Sequence, residues 1–304
     1  MLMMKAIIYI RENKMSNKKI LITGGSGYLG KNIIQNLSKK YEIKYLTRNL
    51  NDKSRQSIFI KNNFHSINAA VGKFKPDLVL HLASLFIVNH KSKDINNLID
   101  SNIKFGSFLL ESMKLNKIDE IINIGTSWEY KNSHDYNPVN LYAATKNAYE
   151  KILFYYYKTM NLKILNLKLY DTYGPSDDRG KIISKIIESV KSEKKLKLSP
   201  GNQILDIIHI NDLIDAIKIS LEIFNGKQRK FFKTYSLLSK ERYKLKDIVK
   251  IILESTKNRK NNIILGGLPY RENEVFVPST NIKKLPKWSP KIKFVKGIKD
   301  LINE

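Results

Sequence analysis

Apolar positions along this chain follow two alternating rhythms. Short runs have the length of a buried strand, and longer stretches are spaced three and four apart like one face of a helix. Ile20-Leu21-Ile22 is the first run; it enters the turn Gly24-Gly25-Ser26-Gly27-Tyr28-Leu29-Gly30 and then the amphipathic stretch from Lys31 to Lys39. Strands are predicted over Glu42–Thr47, Gln56–Ile60, Pro76–Ala83, Glu120–Ile124 and Leu162–Leu169, with helices over Ile95–Leu115 and Tyr142–Met160 between them. Leu78-Val79-Leu80 is continuously apolar, as a parallel strand covered on both faces must be. This alternation predicts an α/β fold, a doubly wound parallel sheet joined by right-handed crossovers. After Pro175 the pattern loosens into a helix over Ile182–Val190, an extended Leu205–Ile210, a helix over Asp212–Ile223, a late strand over Phe232–Leu238 and a helix over Leu245–Leu253. The expected division is an N-terminal extension over 1–18, a nucleotide-binding domain over 19–175 that takes back elements from about 206–238, and a smaller substrate-binding domain over 176–304.

The glycine turn gives the first chemistry. Gly24, Gly27 and Gly30 recur at three-residue spacing between a strand and a helix, so bare backbone reaches a helix N-terminus where a pyrophosphate can approach. Gly24 permits the tight turn, Gly27 the close approach of phosphate and Gly30 the contact of helix with strand. In such a sheet the tip of the second strand meets the adenosine ribose, where an acid holds the free hydroxyl of NAD and a base accommodates the extra phosphate of NADP. Thr47-Arg48-Asn49 offers Arg48 and no acid, so NADP(H) is preferred and NAD(H) remains open.

Composition narrows the classes. The 304 residues hold no cysteine, which excludes disulfides and thiolate metal sites and fits a reducing cytoplasm. His65, His81, His90, His134 and His209 show no metal-ligand spacing, and no metal is expected. No unbroken apolar run is long enough for a membrane span. The formal charge of +26 raises nucleic-acid binding, but the lysines are scattered through the chain, which argues for solvated faces and for an anionic substrate such as a nucleotide diphosphate. Met15, following the lysine-flanked Ala6–Ile10, suggests that residues 1–14 are dispensable.

Tyr142 and Lys146 stand one helical turn apart, after a strand that ends in Gly125-Thr126-Ser127-Trp128. A lysine cation beside a phenol lowers the phenol's pKa and makes it a usable acid or base. Taken in order, Thr23-Gly24-x-x-Gly27-x-x-Gly30, His81-Leu82-Ala83, Asn102 and Tyr142-x-x-x-Lys146 resemble the extended short-chain dehydrogenase/reductase family of nucleotide-sugar epimerases, dehydratases and reductases, from about Lys19 to the C-terminus. That resemblance implies a Rossmann fold, a homodimer and a nucleotide-diphosphate sugar as substrate. It makes Tyr142 the general acid/base, with Lys146 holding the nicotinamide ribose and tuning Tyr142. Thr126 becomes the hydroxyl partner of the sugar oxygen, and Asn102 supports the helix and an ordered water. It extends the cofactor site to Tyr28, Leu29, Leu82, Ala83 and Tyr170, and the substrate site to Ser127, Trp128, Asp171, Arg179, Lys181, Gln203 and Arg271.

Departures from the family pattern refine this. Dehydratases of the family carry Asp-Glu after the hydroxyl residue, where this chain has Ser127-Trp128, so dehydration is not expected. The segments 136–146, 169–181 and 269–274 are similar to the CDP-abequose and CDP-paratose synthase branch, which reduces the 4-keto group of CDP-activated dideoxy sugars for lipopolysaccharide O-antigen. Leu205 stands where the family's nucleotide-contacting Arg precedes Asp206, leaving Arg179, Lys181 and Arg271 as the diphosphate candidates. An NAD(P)-dependent 4-epimerase or heptose-modifying relative is the alternative, and a non-catalytic nucleotide- or RNA-binding member is a third.

Overall fold

The structure, a computed structural model, describes residues 18–132, 135–226, 228–256 and 262–303. The expected extension lies outside the described residues except for Lys18, as does His134. Seven strands form a parallel sheet in the order β10-β6-β5-β4-β1-β2-β3. They are β1 (Lys19–Thr23), β2 (Glu42–Thr47), β3 (Ser57–Phe59), β4 (Leu78–His81), β5 (Glu120–Thr126), β6 (Lys163–Leu169) and β10 (Phe231–Leu237). The strand order reverses between β1 and β4, and ligands of such sheets bind at the crevice this opens.

Helices cover both faces, so every residue of β4 and β5 is buried. One face packs α1 (Tyr28–Leu37) and α7 (Ile210–Ile223) on Ile20, Ile22, Leu80 and Ile122. The other packs α2 (Phe64–Phe74), α4 (Phe105–Leu115) and α5 (Leu141–Thr159) on Leu21, Val79, Ile121 and Ile164. Asn140 starts α5 by accepting a hydrogen bond from the Ala143 N–H at 3.0 Å, which sets the phase of that helix. Gly106 and Tyr149 let α4 and α5 approach closely, since a Cβ at Gly106 would stand 2.3 Å from the Tyr149 ring.

The helix expected over Ile95–Leu115 is interrupted: α3 (Ile95–Ile99) runs into α4 through a π-helical segment, Asp100–Lys104, which turns Asn102 into the protein. The late strand joins the sheet edge beside β6, as expected. The extended stretch expected at 205–210 does not join that sheet. It is β9 (Ile204–His209), which pairs with β7 (Asp171–Tyr173) and β11 (Arg242–Lys244) in a separate three-stranded sheet. A third core, all of it from Tyr173 onward, gathers α6 (Ile182–Ser192), α8 (Leu245–Thr256) and α9 (Phe294–Asn303) beside the small pair β8 (Leu196–Leu198) and β12 (Ile263–Leu265).

Candidate active site

A cavity of about 560 Å³ lies over the C-terminal ends of β1, β4, β5 and β6. Its cofactor-side wall is the glycine turn. Gly24 has φ +74°, and a Cβ there would meet the Ala83 nitrogen at 2.8 Å. A Cβ at Gly30 would stand 2.3 Å from the Gly24 carbonyl oxygen, so both glycines are demanded by backbone packing. Gly27 differs: its Cβ would meet nothing closer than the Gly24 oxygen at 3.4 Å and would project into open space beside the cavity. No side chain caps α1, which begins there. An open cradle at an uncapped helix N-terminus fits a pyrophosphate. Arg48 lines the same cavity at the end of β2 and is exposed. Tyr28, Leu29, Leu82 and Ala83 line it as well.

Thr126, Tyr142 and Lys146 come together on the opposite wall. Tyr142 stands near the hydroxyls of Ser84 and Thr126, which favour its phenolate. The expected lowering of its pKa is not what the structure gives: burial outweighs the neighbouring hydroxyls and pushes the phenol up to about 12. The same burial brings the Lys146 ammonium down to about 8. His81 lies beneath, its Nδ1 2.8 Å from Thr23 Oγ1, and burial lowers its pKa to about 3. It is a neutral packing residue, set between Phe105 and Tyr149.

Asn102 is buried at the π-helical turn, and its side chain ties the loop after β4 to Thr145 of α5. Its Oδ1 accepts from Ser84 Oγ (3.1 Å) and the Leu85 N–H (2.7 Å), and its Nδ2 donates to the Leu85 oxygen (3.0 Å) and Thr145 Oγ1 (2.9 Å). The amide is saturated and leaves no hydrogen for a water. It anchors the loop that presents Ser84 to Tyr142.

Ser84 and Phe86 escaped the sequence reading, although Ser84 directly follows the His81-Leu82-Ala83 signal. Phe86 packs edge-on to Tyr142 at 4.9 Å and tilted on Trp128 at 5.5 Å, making an aromatic mouth. The Lys181 ammonium sits 4.0 Å above the Phe86 ring and 3.4 Å from Asp171, and Arg179 stacks on Tyr28 at 4.4 Å while Asp177 grips its guanidinium. Arg271 lies 5.6 Å from the Trp128 ring in an adjoining recess of about 50 Å³, shared with Ser127, Tyr170, Asp171 and Asp206. Asp206 has an arginine partner after all: Arg242 reaches it across the β9–β11 pairing at 2.8 Å. Gln203 is not brought to the site. It is buried against Ser199 and lines neither cavity.

Residues 20–232 match the family described as "NAD dependent epimerase/dehydratase family". The chain belongs to that family. Its members of the extended short-chain dehydrogenase/reductase type are NAD(P)-dependent enzymes, and this chain is one of them. Among epimerase/dehydratase relatives, CDP-abequose synthase of Yersinia pseudotuberculosis is 35% identical over 273 residues, which covers 88% of this chain and 94% of the relative. CDP-abequose synthase of Salmonella typhimurium is 26% identical, covering 93% and 97%. UDP-glucuronic acid 4-epimerase of Bacillus cereus, solved with UDP-glucuronic acid and NAD, superposes with a TM-score of 0.82 at 23% identity over 94% of this chain and 98% of that one. Thermus thermophilus UDP-glucose 4-epimerase, solved with NAD, gives 0.79 at 19%, again over 94% and 98%. These likenesses establish the Rossmann fold. Among the described residues no helix is long and apolar enough to cross a membrane, and no cluster of His, Cys, Asp or Glu could hold a metal.

Proposed function

We propose that this enzyme reduces the keto group of a nucleotide-activated 4-keto-deoxy sugar with NADPH, in the synthesis of a surface-polysaccharide sugar. One observation carries the choice of reduction over dehydration. Among the described residues lining the cavity Asp171 is the one carboxylate, and Lys181 is paired with it. Ser127 and Trp128 follow Thr126 in the wall, and Glu129 is turned away into the protein. No free carboxylate stands ready to pull a proton from the sugar and expel water. The two relatives named for CDP-abequose point to CDP as the activating nucleotide.

NADPH, when bound, would supply the hydride. The turn from Gly24 to Gly30 would hold its pyrophosphate, Lys146 its nicotinamide ribose and Arg48 its 2′-phosphate. Asp52, the acid nearest Arg48 in sequence, is engaged by the Tyr45 hydroxyl at 2.8 and 2.9 Å and lies outside the cavity, which leaves the ribose end cationic. Tyr142, with its pKa at about 12, is a neutral phenol at physiological pH and is set to give its proton to a carbonyl oxygen. Thr126 Oγ1 accepts from the Trp128 N–H at 3.3 Å, so its own hydrogen is available to donate to the same oxygen. Arg179, Lys181 and Arg271 would take the diphosphate, with Trp128, Ser127 and Asp171 around the sugar.

Exposed Ile95, Ile99, Leu115, Phe154 and Tyr155 on α3, α4 and α5 support a homodimer through these helices, and we place the enzyme in the cytoplasm. The test is incubation with NADPH and a CDP-4-keto-deoxy sugar. Stoichiometric loss of NADPH is expected. Conversion of a nucleotide sugar to its epimer without net oxidation would replace this reading by the epimerase alternative, and no reaction with any keto sugar would remove it.

A further inference from the structure

A lysine and a glutamate are sealed behind the catalytic wall, both with side chains fully inaccessible. Glu129 ends the short 3₁₀ turn that follows β5, and Lys168 lies on β6. Their charged atoms are 2.7 Å apart. Burying such a pair costs several kcal/mol per ion, and apolar residues of the same volume are often as stable. Its connections run to the reacting groups. Glu129 Oε1 accepts from the Thr126 N–H at 3.4 Å and Oε2 accepts from Asn147 Nδ2 at 2.9 Å. Thr126 and Glu129 form a capping box, which fixes the Thr126 side chain with its oxygen on the backbone N–H of the turn. Asn147 is the neighbour of Lys146 on α5. Lys168 also binds Glu150, one turn beyond Lys146 on the same helix.

We propose that Glu129, held by Lys168, is a positioning residue for both halves of the catalytic wall: it fixes the Thr126 side chain and, through Asn147, sets its carboxylate against the turn of α5 that carries Lys146. This rests on the reductase reading for its kinetic consequence; its electrostatic one follows from the contact of the Glu129 carboxylate with Asn147, the residue next to Lys146. The charged groups that act on Lys146 are Glu129 of the turn, Lys168 of β6 and Glu150 of its own helix, with His81 of β4 neutral. Glu129 and Glu150 favour the Lys146 ammonium, while burial and Lys168 oppose it. Burial raises the pKa of the Tyr130, Tyr136 and Tyr142 phenols, and the Glu129 charge adds to it.

Two variants separate positioning from mere stability. Glu129→Gln keeps the side-chain oxygen and loses the charge. Glu129→Leu with Lys168→Met replaces the pair by apolar groups and should fold with a melting temperature close to the parent's. Lysine ¹³Cε resonances of the ligand-free protein, with Lys146 assigned through Lys146→Arg, give its titration midpoint. In Glu129→Gln that midpoint should fall by about half a unit or more, because an opposing charge is lost and Lys168 is left less compensated. In the double variant kcat on the keto sugar should fall about tenfold or more with KM within about twofold, the mark of an interaction made in the transition state. An unmoved Lys146 midpoint in Glu129→Gln, or parental kcat in the folded double variant, overturns the proposal. If the parent reduces no keto sugar the reductase reading fails separately, and the midpoint alone then decides whether Glu129 holds the charge of Lys146.

Discussion

Two glycines of one motif should respond to alanine in opposite ways. At Gly30 the added methyl would stand 2.3 Å from the Gly24 oxygen and 2.6 Å from the Gly25 Cα, both backbone atoms that cannot yield without moving the turn. Gly30→Ala should therefore cost about 3 kcal/mol or more, read as a fall in melting temperature of several degrees. At Gly27 the methyl is 3.4 Å from its nearest neighbour, an ordinary contact, so Gly27→Ala should leave stability within about 1 kcal/mol. Its methyl would occupy the space through which a pyrophosphate approaches the helix. Displacing the phosphate enough to weaken binding a hundredfold removes about 2.7 kcal/mol of affinity. A cofactor at a hundred times its Kd stabilises the parent by about 2.7 kcal/mol, so nearly all of that protection should vanish in Gly27→Ala. Thermal melts with and without NADPH, and a direct NADPH titration, measure both effects. If Gly27→Ala bound NADPH like the parent, the cofactor could not sit on this turn as described.

Tyr142→Phe should abolish turnover and keep NADPH affinity within a few-fold, checked by fluorescence titration beside the rate assay. Arg48→Asp should lower the preference for NADPH over NADH by about tenfold or more in kcat/KM, since a charge pair with the 2′-phosphate becomes a repulsion. His81 carries a pH dependence of stability: its ordinary value of 6.5 is lowered to about 3 in the fold, so the unfolded chain takes up a proton that the folded one refuses. Stability is therefore lost as pH falls below 6.5, by about 2 kcal/mol one and a half units lower. His81→Gln should flatten that limb of a denaturant-midpoint against pH curve by this amount, and an unchanged limb would show that His81 protonates without cost.

The sheet was legible wherever a pattern is local. Leu78–His81 and Glu120–Thr126 are apolar runs bounded by turns, and the helix carrying Tyr142 and Lys146 has its capping Asn140 in the sequence. Contacts between distant residues were not. In Asn166-Leu167-Lys168-Leu169 the polar positions alternate as on a half-exposed strand, yet β6 lies between β5 and β10 with both faces covered. Asn166 must then pair with Asn123 at 2.7 Å, and Lys168 with Glu129 and Glu150, partners no spacing rule identifies. Leu205 likewise read as the loss of an Arg–Asp pair, while the antiparallel register of β11 against β9 restores one through Arg242. Asn102 was singled out from the family pattern, but its inward turn was not legible, because a π-helical segment leaves no signature in the 3.6-residue period.

The two titrating groups of the wall also show why spacing alone misjudges a site. One helical turn between Tyr142 and Lys146 suggests a cation holding a phenolate, a two-charge state that water would tolerate. The cavity floor penalises each charge separately, and it moves both groups toward neutrality, the phenol upward to about 12 and the amine downward to about 8. A phenol that keeps its proton suits donation to a carbonyl oxygen. An amine that is ready to lose its charge suits ribose binding only if something nearby favours the ammonium. Glu129 is the charged group beside this wall that acts in that direction on Lys146 ahead of Glu150, and it raises Tyr142 at the same time. Under the proposed reduction, one buried carboxylate would bias both members toward the protonation states the reaction uses, a reason to keep a sealed ion pair where apolar packing would hold the strands together equally well.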